Sequence, residues 1–84
     1  MEIRFTQSAR KHRIGKGRAL YVIENSSPEF VSGESSRRDK IIWVSEDDRG
    51  LELEIVAVAE NDYLVVIHVM PTIFRKEHKR WNQK

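Results

Sequence analysis

Polar and apolar residues alternate at the start of the chain, and Ile3 and Phe5 fall on one side of residues 1–5. That alternation predicts a short strand. Thr6 and Ser8 come next, both of a type that caps helix N-termini, and a short helix is expected over Ser8–His12. Ile14-Gly15 interrupts the pattern. From Lys16 onward, Ala19, Leu20, Val22 and Ile23 recur at the helical period and predict a second helix. Asn25-Ser26-Ser27-Pro28 ends it, since the residue before a proline disfavours helical geometry.

Residues 25–40 are rich in Ser, Gly, Glu and Arg and read as a loop, with Phe30-Val31 as its anchor to the body. Strand patterns follow. Lys40–Glu46 holds Ile41, Ile42, Trp43 and Val44, and Asp47-Asp48-Arg49-Gly50 is a turn. Leu51–Glu60 is the next strand, Asn61-Asp62 a two-residue hairpin turn, and Tyr63–Met70 the last strand, stopped by Pro71.

These elements predict an α+β fold: a short N-terminal strand and two short helices packed on one face of an antiparallel meander. Residues 1–75 form one domain in this reading, and 76–84 a basic tail. A two-residue turn at Asn61-Asp62 opposes Ile55 to His68 and Ala57 to Val66. The expected core face then holds Ile42, Val44, Leu53, Ile55, Ala57 and Ala59, with Leu64, Val66, His68 and Met70 on the last strand. The other face holds Ile41, Trp43, Glu52, Glu54, Val56 and Val58, then Glu60, Tyr63, Val65, Ile67 and Val69. Its mixture of carboxylates, aliphatics and aromatics marks it as a binding surface or as a face covered by the tail.

Charge changes the picture more than overall composition does. The net charge of +2 on 84 residues hides a segregation. Residues 1–24 carry +4, residues 25–71 carry −6 and residues 72–84 carry +4. Two basic ends that meet in space would form the electrostatic footprint of a nucleic-acid binder. On this reading Arg10, Lys11, Arg13, Lys16 and Arg18 hold an RNA backbone from the first helices, and Lys76, Lys79 and Arg80 hold it from the tail. The absence of cysteine excludes a disulfide scaffold and a thiol nucleophile. No apolar run is long enough for a membrane span and no signal-peptide core is visible, so a cytoplasmic location without membrane contact is expected.

Phosphate-loop, dinucleotide, zinc-protease and EF-hand patterns are missing, and neither metal nor cofactor is expected. Gly15-Lys16-Gly17 reads first as a structural turn. His12 stands between Lys11 and Arg13, whose charges disfavour its protonated form and suit it to act as a neutral base. His68 lies near the end of the last strand, as a general acid or base at the sheet rim. Glu54 shares a strand face with Glu52 and is a second candidate base. Arg49 at a hairpin tip and Arg75 beyond Pro71 are candidates for stabilising charge on a phosphate.

Lys11-His12-Arg13-Ile14, followed by Ala19 and Val22, resembles the Lys-His-x-Ile-x4-Ala-x2-Val helix of BrnT-type toxins and a related uncharacterised family. Both belong to the wider RelE/barnase/colicin-like ribonuclease group. Ile41-Ile42-Trp43-Val44, Leu53-Glu54-Ile55-Val56 and Val65–Pro71 are similar to the strands of that group, so the resemblance covers most of residues 3–75. It implies a ribonuclease, ribosome-dependent or free, paired with an antitoxin protein. Those toxins carry an Arg-x-Ile-Ser-Ala-Arg-like run after the last strand. Here Met70-Pro71-Thr72-Ile73-Phe74-Arg75 stands in its place, and the resemblance implies a catalytic role for Arg75 alone. The reading is therefore a metal-independent ribonuclease toxin of a type II toxin–antitoxin pair. Its alternative is a non-catalytic module that binds a protein through the mixed sheet face.

Overall fold

The computed structural model describes residues 2–32 and 39–74. They form a five-stranded mixed sheet with a 3₁₀ turn and one α-helix, the α+β class expected. The strands are β1 (Glu2–Phe5), β2 (Glu29–Val31), β3 (Lys40–Glu46), β4 (Glu52–Ala59) and β5 (Tyr63–Pro71). Their order across the sheet is β1-β5-β4-β3-β2. β1 lies parallel to β5, and the other neighbours are antiparallel. The meander is thus longer than expected by one strand at each side. Residues 29–31, read as part of a loop, pair with β3, and Phe30 stays 71% exposed.

Ser8–Arg10 forms a single 3₁₀ turn where a helix to His12 was expected. Thr6 caps it, its Oγ1 accepting the Ala9 amide at 3.2 Å. Arg13, at φ 60°, turns the chain, whereas Gly15 is extended. That left-handed geometry in a non-glycine residue costs about 1 kcal/mol. Lys11–Ile14, expected at a helix start from the family resemblance, therefore lies in the connection between the 3₁₀ turn and α1 (Lys16–Asn25). Ser26 Oγ and Asn25 Nδ2 donate to the Val22 and Tyr21 carbonyls and satisfy two acceptors at the helix end.

Ala9 from the 3₁₀ turn and Ala19 and Val22 from α1 pack on Trp43, Leu53, Ile55, Ala57, Val66 and Val69. This core differs from the expected one in phase. Ile41 and Trp43 face the helices, while Ile42 and Val44 face away: Trp43 is 4% exposed and Val44 is 42% exposed. The cause is the β3–β4 turn. Asp47 accepts the Gly50 amide at 3.1 Å and donates to Leu51 at 2.9 Å, and Gly50 sits at φ 84°. This is a type I turn closed by a glycine bulge, and its extra residue sets Trp43 opposite Ile55.

The second phase change lies in β5. Ala57 pairs with Val66 as the Asn61-Asp62 turn dictates, but a bulge between Val56 and Ala57 then sets Val56 opposite His68. Ile55 meets Val69 instead of His68. His68 and Met70, expected in the core, therefore turn to the outer face, and Val69, expected outside, is buried. Ala59, also expected in the core, is exposed near the hairpin end.

A Cβ on Gly50 would meet nothing within 4 Å, so substitution there changes only the backbone energy. Gly50→Ala is expected to lower stability by about 1 kcal/mol, read as a lower urea midpoint with an unchanged slope.

Candidate functional site

The bulge decides where the candidate chemistry gathers. It places His68 on the outer face, beside Val56 and on the same face as Glu54, whose direct partner on β5 is Met70. His68 and Glu54 are thus diagonal neighbours, a spacing of roughly 7–8 Å between backbones that long side chains bridge. The 3₁₀ turn packs on β5, and the connection that follows it brings Lys11 and His12 within electrostatic reach of His68.

These neighbours act on the His68 proton in opposite directions. Partial burial lowers its proton affinity most, Glu54 raises it, and His12 and Lys11 lower it further. The net effect holds His68 below the ordinary histidine range, as a neutral imidazole at pH 7. His12 is half-buried, and its ring lies 5.3 Å from that of Phe74 at a 54° tilt. Phe74 is 45% exposed. Sequence reasoning had no signal for this contact, because it joins residues from the two ends of the described chain.

The remaining candidates are spread around this centre. Arg10, Lys11, Arg13 and Lys16 are exposed along the layer that precedes and opens α1. Lys16 Nζ also stands 5.6 Å over the Phe5 ring. Arg18 is held inside the fold: its Nε donates to Asp47 Oδ2 at 2.7 Å. Arg49 is exposed at the β3–β4 tip. That tip projects from the same end of the sheet as the last residues of β5, since Leu53 pairs with Pro71. Arg75, Lys76, Lys79 and Arg80 lie outside the described residues.

Asp47, read from sequence as a turn former, is also a buried anchor. Its Oδ1 accepts the Arg49 and Leu51 amides at 2.8 and 3.0 Å, and its Oδ2 accepts Arg18. Burial alone would raise its proton affinity; the two amides and the guanidinium outweigh it and hold the carboxyl below the usual aspartate range. This cross-brace ties α1 to the hairpin that carries Arg49. A second brace joins the buried Thr72 to β4, its Oγ1 donating to Glu52 Oε1 at 2.6 Å.

Among the described residues, no three His, Cys, Asp or Glu side chains group as metal ligands. No described helix is long and apolar enough to cross a membrane. Compared with known protein families, curated proteins and solved structures, the chain matches none.

Proposed function

We propose that this chain is a metal-independent ribonuclease of the type II toxin class, acting around His68, Glu54 and His12 at the flank of β5. One observation carries the reading: the β5 bulge turns a neutral-leaning histidine out of the core, onto the same face as a carboxylate and within reach of a lysine and a second histidine. A base, an acid and one or two cations suffice for internal transesterification of RNA.

In this mechanism His68, or Glu54 in its place, accepts the proton of a ribose 2′-hydroxyl. The 2′-oxygen attacks the adjacent phosphorus and the bond from phosphorus to the 5′-oxygen breaks. The leaving 5′-oxygen takes a proton from water, and His12, flanked by Lys11 and Arg13, is a further candidate base. Lys11, Arg49 and Arg75 offset the charge that develops on the phosphoryl oxygens, and the product is a 2′,3′-cyclic phosphate with a free 5′-hydroxyl. The exposed cations Arg10, Arg13 and Lys16, with those of the tail, supply the backbone contact. The partner expected with this class is an antitoxin protein.

Growth arrest on induction in a bacterial host, relieved by co-expression of the neighbouring gene, is the expected cellular result. In vitro, the purified chain is expected to cleave single-stranded RNA in the presence of a chelator. His68→Gln should slow cleavage about 100-fold, with unchanged far-ultraviolet circular dichroism. Its acid limb in wild type should fall below the pH of an unperturbed histidine, because the folded site depresses His68. Intact RNA after incubation with folded wild-type chain would remove the reading, as would a His68→Gln variant of full activity.

A second reading has its own support. The outer sheet face is open among the described elements, as a surface that binds a protein without catalysis would be. Normal growth at confirmed folded expression would favour it.

A further inference from the structure

The two faces of the sheet have opposite characters. The 3₁₀ turn and α1 both contribute to the core on one face. No described element lies over the other. There, Ile42 pairs with Val56 and Val58 with Val65, so Val44, Ile42, Val56, Val58 and Val65 run as a diagonal apolar band from β3 to β5, while Glu54 and His68 set Met70 apart from it. Val58 is buried by its surroundings yet lies outside the contiguous core.

The charges around this strip select the occupant. Glu29, Glu46, Glu52 and Glu54 face outward with it, as does Glu2. Among the described residues, the cations of the face are Arg4, bound to Glu2 at 2.7 Å, and Lys40. Among the described residues, five carboxylates against two cations leave the face at −3. Glu46 and Glu52 are direct cross-strand partners, a like-charge juxtaposition that disfavours the pair. A second copy docked here would set glutamates against glutamates. A cation placed between Glu46 and Glu52 would relieve their repulsion.

We propose that this face docks a basic amphipathic helix from another protein chain, its aliphatic stripe on the valine strip and its Lys or Arg residues on the glutamates. Such a helix would convert a two-layer fold into three layers, the standard way to cover both faces of a sheet. It would also lie across His68 and Glu54, and so close the candidate site. The surface stands on packing and charge, and its test does not depend on RNA cleavage.

The test uses the full chain and a fluorescent 18-residue helical peptide with leucines at the helical period and lysines at the flanks. The control peptide carries glutamates in place of the lysines. Anisotropy is expected to show micromolar binding of the lysine peptide and at least tenfold weaker binding of the control. Glu46→Lys should weaken the lysine peptide several-fold while raising thermal stability, because it turns a like-charge pair into an attractive one. Val56→Lys should weaken it more than tenfold. Equal binding of the two peptides, or no binding, overturns the proposal. A dimer in sedimentation that Val56→Lys dissolves would overturn it too, assigning the face to a second copy.

Discussion

Replacing Trp43 with alanine is expected to cost about 4 kcal/mol, the range for removing a buried aromatic side chain. Trp43 sits at the centre of β3, nearly fully buried against Ile55 and the helix layer. A chain of this size has a total stability of roughly 4–12 kcal/mol. The variant should therefore be unfolded or close to it at 37 °C, read by thermal denaturation. Val44→Ala, one residue away on the outer face, should change stability by no more than about 0.5 kcal/mol. The contrast tests the register itself. If the two-residue alternation ran in the opposite phase, Val44 would be the sensitive position and Trp43 the tolerant one.

Asp47→Ala is expected to cost about 3 kcal/mol. It removes an acceptor buried under three hydrogen bonds and leaves the Arg18 guanidinium and two amides unpaired. The pH dependence gives a sharper signature through Asp47→Asn. The carboxyl titrates below its unfolded value of about 3.9. A group depressed in the folded state adds stability above its unfolded value, and that contribution is lost as pH falls through the folded value. The stability gap between wild type and Asp47→Asn should be constant near neutrality and shrink steadily below about pH 4. A gap that stays level down to pH 2 in urea titrations would show that the Asp47 charge contributes nothing.

Much of this fold was legible in the residues. The helical period at Ala19, Leu20, Val22 and Ile23 found α1, and the serines and proline after it found its end. The turn at Asp47–Gly50 and the strands on both sides followed from composition. What the pattern missed was phase. Ile41-Ile42-Trp43-Val44 is apolar at every position, so alternation has nothing to alternate with, and only the bulge at Gly50 decides which half is buried. Val65–Met70 is similarly apolar on both faces, and its bulge leaves no mark in the sequence. The candidate site inherits the difficulty. His12 and His68 were visible as residues, but the face of His68 depends on that one inserted position. Phe74 beside His12 depends on tertiary contact alone, as does the Arg18–Asp47 brace.

The pairing of β1 with β5 has a consequence for how the chain is made. β2 to β5 follow one another along the polypeptide, so each neighbour closes over a short loop. β1 must wait for the segment around Val66, which the ribosome adds some 60 residues later, and closing so long a loop is a slow event. Until then Ile3 and Phe5 have no strand to pair with. Of these five strands, the one made first has the partner made last, so the Lys11–His12 connection behind β1 can take its place near His68 only once β5 exists.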